Sequence, residues 1–347
     1  MASTSPDTWA AAAEDYLRDR IPRLLPGAPT VARILPLTED VWQVDLRDGR
    51  SLVAKHQIWG FLAHGEPYDL LQVEKQVLGL LGGEGCPVPK VLGLDPEGQV
   101  ILLEHCGSHT LEDVDSTPYI PQVIDGLLQI ERAFEKYQDL LAWRVVPQAT
   151  LPCLRQAWAE AADRARQGLE QFGRHCHGAP TALAGAQQAL DEILSWLTAR
   201  PPALGATDYR PRNIVVDPAG SDPCRVRFIE FAKIGWDWTE RRLVQYTNTV
   251  RRGFRRLLDA GDVEFYAVRA GRERARALDY HHLVFYLNAA SMLGAALAAP
   301  SAHAPLLRAW GPAGPRLRQL AELMAAPLSD DPAANLIREV FKCRGDS

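Results

Sequence analysis

The chain has 347 residues, 47% of them hydrophobic and 23% charged, an ordinary composition for a globular protein and enough to bury one large core or two unequal ones. A net charge of −5 and an isoelectric point near 6.0 leave no broad basic face, so neither nucleic acid nor an anionic membrane is expected as the main partner. No stretch approaches the roughly 18 apolar residues of a membrane span, and the N-terminus lacks a basic region ahead of an apolar core, so a cytoplasmic protein is expected.

Ser5-Pro6-Asp7 opens an amphipathic helix that runs through Leu25 to a turn at Pro26-Gly27. The period then changes. Thr30 to Leu35, Val41 to Leu46 and Ser51 to His56 alternate or cluster β-favouring residues, with Asp48-Gly49 as a hairpin turn between the last two, which predicts an antiparallel sheet. From Tyr68 to Leu81 helical spacing returns, with Leu70, Leu71, Val77, Leu78 and Leu81 on one stripe. The glycines from Gly79 to Gly85 lack the Lys-Ser/Thr of a phosphate loop and follow a helix, so they read as its stop. Strands follow near Lys90 to Leu94 and Gln99 to Glu104. Beyond Gly107 the pattern is helical over about Tyr119 to Leu141, Leu154 to Phe172, Leu183 to Thr198, Arg241 to Leu258 and from Asp279 onward. A single β-like island, Asn213 to Phe231, interrupts it.

A β-rich front joined near His105 to Thr110 to a helical rear predicts two lobes, 1–106 and 107–347, with a cleft between them. The six cysteines are scattered without zinc or redox spacing and read as reduced thiols. His175-Cys176-His177 reads as a surface loop, because adjacent residues point different ways. The arginines at 251, 252, 255 and 256 read as a solvated helix face or an anion-contacting patch.

Glu74 breaks a rule. The series Leu70, Glu74, Val77, Leu81 places a carboxylate on the inward stripe of a helix, where it requires a partner. Lys55 is that partner, since Val53 and Lys55 share a face of the preceding strand. Two readings stand: a structural ion pair, and the strand-lysine, helix-glutamate pair that grips the phosphates of ATP. Further on, Asp208 and Asn213 occupy a loop that Pro211 keeps from becoming helical, just before a short apolar strand. A hairpin centred near Ser221 sets Asn213 opposite Ile229 and beside Glu230. The Asn carbonyl and the Glu carboxylate are hard oxygens suited to magnesium, and Asp208 is placed to orient or deprotonate a hydroxyl.

In sequence order, Val53-Ala-Lys55, Val73-Glu74, Cys86-Pro-Val-Pro-Lys90 and Ile101-Leu-Leu-Glu104 resemble the N-lobe of the aminoglycoside phosphotransferase and choline kinase family. Asp208-Tyr-Arg-Pro-Arg-Asn213-Ile-Val-Val-Asp217, then Phe228-Ile-Glu-Phe231 and Gly235-Trp236, resemble its catalytic and metal-binding segments. The resemblance spans roughly residues 30 to 250. It implies an α+β, two-lobed, protein-kinase-like fold and transfer of the γ-phosphoryl group of ATP, with Mg, to a hydroxyl of a small molecule. Lys55 would hold phosphates, Glu74 would orient Lys55, the backbone of Glu104, His105 and Cys106 would meet the adenine, Asp208 would be the catalytic base, and Asn213 and Glu230 would bind the metal. A monomer or homodimer is expected.

Three departures stand out. Ala206-Thr207 replaces the His-Gly that the family usually has ahead of its catalytic Asp, so the loop loses a bracing histidine. Glu230 replaces an Asp and adds a methylene. Thr38-Glu39-Asp40-Val41 offers neither glycine nor serine to cradle phosphate. These changes keep two alternatives in view, a nucleotide-binding pseudokinase and a nucleotidyl-transfer variant. Arg210 and Arg212 read either as exposed loop arginines or as stabilisers of transferred phosphate. The acceptor wall is expected from the helices of about Leu151 to Ala199 and from the C-terminal helices, with Trp158, Tyr280 and Tyr286 as candidate contacts and Glu160, Asp163 and Glu170 able to attract a cationic acceptor.

Overall fold

A computed structural model describes residues 6–25, 27, 30–57, 60–61, 67–175, 180–218, 226–250 and 253–342. Cys176, His177, Cys224, Arg251, Arg252, Cys343 and the turn at Gly220 to Pro223 lie outside the described residues, and so do the readings placed on them.

The front of the chain is one five-stranded antiparallel sheet flanked by helices α1 (Pro6–Leu24) and α2 (Leu70–Gly83). Its strands are β1 (Val31–Thr38), β2 (Val41–Leu46), β3 (Ser51–His56), β4 (Val91–Asp95) and β5 (Val100–Glu104), in spatial order β1-β2-β3-β5-β4. Alternation assigns its two faces. Trp42, Val44, Leu52, Ala54, Val100 and Leu102 pack with Leu17 and Ile21 of α1, while Ile101 and Leu103 join the core that contains α2. Lys55 pairs with Ile101 in the ladder and therefore shares the α2 face. Asp69 caps α2 by accepting from the amide of Gln72 at 3.0 Å, and the helix stops at Gly83, followed by Gly85 at φ +72°.

The rear is mostly helical. Helices α3 (Ile120–Lys136), α4 (Leu151–His175) and α5 (Pro180–Thr198) precede the site segment, and α6 (Thr239–Tyr246), α7 (Ala260–Ala270), α8 (Arg272–Ala298), α9 (Ala304–Trp310), α10 (Ala313–Ala325) and α11 (Pro332–Phe341) follow it. Among the described residues no helix is long and apolar enough to cross a membrane. Gly107, at φ +136°, joins front to rear. A Cβ there would come within 2.7 Å of the Val216 carbonyl oxygen, so the chain passes only because the side chain is absent.

Two features differ from the sequence expectation. The helix expected from Arg241 to Leu258 ends at Tyr246, where Asn248 turns its amide back to the Val244 carbonyl at 2.7 Å and Asn248–Thr249 pairs with Arg255–Arg256 as a short hairpin. The β island is also larger than it reads, because Ala203–Ala206 and Ile234–Asp237 form an additional two-stranded ladder around it.

Helix α8 carries two buried histidines, His281 and His282, whose Nε2 atoms have no hydrogen-bond partner among the described residues. Burial holds the pKa of His281 well below the ordinary value, and the nearby guanidiniums of Arg241 and Arg200 add to this. His282 is pushed down to about 3, again chiefly by burial. Both are therefore neutral when folded, while the unfolded chain takes up protons below about pH 6.5. Stability is fully present above that pH and, for His282, falls as pH drops from it toward 3 by about 1.4 kcal/mol per pH unit once the unfolded chain is protonated; His281 acts in the same direction. His282→Phe is expected to flatten the pH dependence of the urea midpoint over this window, and an unchanged slope would contradict the assignment.

Candidate active site

The site is built where the sheet meets a second hairpin. Strands β6 (Ile214–Val216) and β7 (Val226–Phe228) pair with Ile214 opposite Phe228, and the Ile229 amide donates to the Asn213 backbone carbonyl at 3.0 Å, the register expected from the sequence. The hairpin thereby brings Asn213 and Glu230 side by side at its end. Glu230 has φ +71°, a left-handed conformation costly for a residue with a Cβ, so its placement is imposed by the surrounding structure.

Lys55 lies between two carboxylates, its Nζ 3.0 Å from Glu74 Oε1 and 2.9 Å from Glu230 Oε2. Glu74 is 1% exposed, and its other oxygen accepts from the side-chain amide of Gln57. Burial alone would strip the proton from Lys55. Glu74 and Glu230 reverse that and hold its pKa above the ordinary lysine value. For Glu74, burial pushes the carboxyl up, Lys55 pulls it back, and the second carboxylate adds to the rise. Gln57 escaped the sequence reading, although Val53, Lys55 and Gln57 fall on one face by simple alternation.

The loop before β6 places Asp208 at the mouth of the site. Its carboxylate is 39% exposed and pairs with Arg210 Nε at 2.9 Å, and its backbone carbonyl accepts from Asn213 Nδ2 at 2.9 Å. That bond leaves the Asn213 carbonyl oxygen as the free ligand atom of a 5% exposed side chain. Glu230 Oε1 likewise has no partner among the described residues, since Lys55 engages Oε2. Two hard oxygens thus sit at one hairpin end, a donor set that fits magnesium.

Glu104, His105 and Cys106 form the connection out of β5. The Glu104 amide is already engaged by the Lys90 carbonyl at 2.9 Å, and its carbonyl accepts from the Cys106 thiol at 3.4 Å. His105 is half-buried, which lowers its pKa. Elsewhere, burial pushes the Cys86 thiol up to about 11, which makes it a poor nucleophile.

The expected histidine brace is absent, and Arg242 of α6 lies beneath the loop instead. It is 3% exposed and donates to the carbonyls of Ala203 at 2.9 Å, Ala206 at 3.3 Å and Gly235 at 3.0 Å. A Cβ on Gly205 would meet this guanidinium at 2.8 Å, so the glycine makes room for it. Its charge lies 5.5 Å from the ring centre of Tyr209, the residue after Asp208. Trp238, Arg242 and Tyr246 recur every four residues on a buried stripe, the same rule-breaking pattern that marks Glu74.

A cavity of about 340 Å3 opens beside the loop, floored by Tyr209, Arg210 and Arg212 and walled by α8 and Trp310. The candidate contacts Trp158, Tyr280 and Tyr286 do not face it. Trp158 packs on Trp238 and His281 and donates to Thr198, Tyr280 donates to Asp331, and Tyr286 donates to Asn248. Each large ring is buried with its polar tip satisfied inside the protein.

No protein-family model and no curated protein matches the sequence, but solved structures do match the fold. A GDP complex of an aminoglycoside 2'-phosphotransferase-IIIa variant superimposes with a TM-score of 0.53 at 12% identity, covering 90% of this chain and 96% of that one. An aminoglycoside phosphotransferase from Alicyclobacillus acidocaldarius gives 0.53 at 12% identity, covering 92% and 94%. The chain has the two-lobed, protein-kinase-like fold of these phosphotransferases. It comprises a small antiparallel sheet lobe with one key helix, α2, and a larger helical lobe.

Proposed function

We propose that the protein transfers the γ-phosphoryl group of ATP to a hydroxyl of a small molecule. The observation that carries this reading is the position of Lys55. A buried ammonium supplied by the sheet is held by a helix carboxylate and faces the hairpin end that bears Asn213 and Glu230. The N-lobe, 1–106, would hold the nucleotide, and the C-lobe, 107–347, would supply the catalytic loop and acceptor wall. Solved structures of the same fold are phosphotransferases, and one is a GDP complex, which supports nucleotide use here.

In this reading Lys55 binds the α- and β-phosphates, with Glu74 fixing its ammonium and Gln57 holding Glu74 in turn. The Glu104 to Cys106 connection lies against the base. Magnesium, held by Asn213 and Glu230, would neutralise charge on the phosphates. Asp208 orients the acceptor hydroxyl and takes its proton as the oxygen attacks γ-phosphorus and the bond to the ADP oxygen breaks. Arg210, paired with Asp208, aims that carboxylate.

Calorimetric titration with ATP, with and without magnesium, followed by tracing γ-labelled phosphate into alcohols, tests the proposal. Magnesium-dependent binding with ADP and a labelled acceptor as products is expected. Release of AMP would replace it with nucleotidyl transfer, and failure to bind nucleotide would end it.

A further inference from the structure

The cavity beside Asp208 carries information about the acceptor, and drawing on it rests on the phosphotransferase reading. Of its fourteen lining residues, one is a carboxylate, Glu112, and two are guanidiniums, Arg210 and Arg212. Arg210 is occupied by Asp208. Among the described residues, Arg212, Gln245 and Glu112 have neither a hydrogen-bonded nor an ionic partner, so these are the polar groups free to meet a ligand. The amides of Asn248 and Asn288 line the same space but are spent on the protein. Asn248 bonds Val244 and Tyr286, and Asn288 bonds Ala161, Val284 and Arg164. They make the wall rigid without offering it donors.

The opposite side is apolar. Phe285, Ala289 and Met292 project from α8, and Trp310 stands across from them. The Trp310 ring is held edge-on to Phe254 at 5.4 Å and its carbonyl accepts from Arg316, so it is a fixed aromatic surface. The acidic residues Glu160, Asp163 and Glu170, which the sequence offered as attractors of a cation, do not line this cavity, and Asp163 lines a separate one between α4 and α5.

We infer that the acceptor is an amphipathic alcohol with an apolar ring face and at most one negative charge, and that a polyamine is excluded. A polyamine needs several carboxylates to replace its hydration, and a lone Glu112 facing Arg212 does not provide them. An apolar ring laid on Trp310 and Met292 gains from leaving water, and Arg212 at the loop end meets a single anionic or polar substituent. A cavity of about 340 Å3 lies at the lower end of the usual small-ligand range, which also disfavours a large oligosaccharide.

Ligand-observed NMR on the full chain, without nucleotide, tests this with three probes: phenyl β-glucoside, phenyl β-glucuronide and kanamycin. The two phenyl glycosides are expected to bind saturably, the glucuronide more tightly. Arg212→Glu should weaken the glucuronide by about tenfold or more and leave the glucoside and ATP affinities unchanged. Met292→Trp, at a position 38% exposed and so tolerant of bulk, should fill the cavity and abolish binding of both glycosides while ATP affinity persists. Tighter binding of kanamycin than of either glycoside, absence of glycoside binding to protein that still binds ATP, or glycoside binding indifferent to both variants would each overturn the assignment. Glycoside binding that obeys both variants without any γ-phosphoryl transfer upholds the wall and removes the phosphotransferase reading instead.

Discussion

Asp208→Ala is expected to slow phosphoryl transfer by about three orders of magnitude while ATP affinity and melting temperature stay at wild-type values. The two halves of this expectation come from different atoms. The carboxylate is 39% exposed and, among the described residues, paired with Arg210, itself an exposed side chain, so its removal forfeits little folding energy. The part of Asp208 that organises the loop is its backbone carbonyl, which accepts from Asn213 Nδ2 and survives the substitution. Lys55 is held by Glu74 and Glu230, whose ion pairs do not involve the deleted group. Parallel measurement of kcat, ATP dissociation constant and Tm separates a proton acceptor from a loop anchor. Retained turnover would remove Asp208 from the chemistry, and a fall in Tm matching the fall in rate would make it structural.

What was legible in the sequence was legible because it violated a pattern. Glu74 on an apolar stripe demanded a cation, and alternation in the preceding strand supplied Lys55. The hairpin register followed from symmetry about position 221, which sets Asn213 against Ile229. With 12% identity to its structural neighbours, the order of a few polar groups carried the fold where overall similarity did not. Aromatic residues were ambiguous for the opposite reason. Trp158, Tyr280 and Tyr286 fit a core as well as a ligand wall, and only packing shows that each hydroxyl or indole finds its partner inside, while Trp158 also lines a second cavity between α4 and α5. The break after Tyr246 was hidden because the polar run there resembles a solvated helix face, and the Asn248 side chain that ends the helix acts through a contact of i−4 type.

Arg242→Leu is the second large effect expected, and it addresses the missing histidine ahead of Asp208. A leucine fills similar space but leaves three carbonyls, those of Ala203, Ala206 and Gly235, without the guanidinium that now bridges them. The fork spans both strands of the ladder beneath the loop, so its loss frees Thr207 and Asp208 to move relative to Lys55. Removing one partner of a buried charged network costs about 3 to 5 kcal/mol, which for a chain of this size lowers Tm by roughly 5 °C. Turnover should fall by about a hundredfold with ATP affinity nearly unchanged, because the phosphate-gripping pair Lys55 and Glu74 lies on the other lobe and Arg242 bonds the carbonyls of Ala203, Ala206 and Gly235, not the proposed metal ligands. Arg242→Lys is the discriminating control: a single ammonium cannot bridge three carbonyls in a planar fork, so it should recover part of the Tm and little of the kcat. Full catalytic rescue by lysine would mean that the loop requires only a buried positive charge. A variant that loses ATP affinity as steeply as turnover would show that Arg242 supports the whole cleft and has no special role at Asp208.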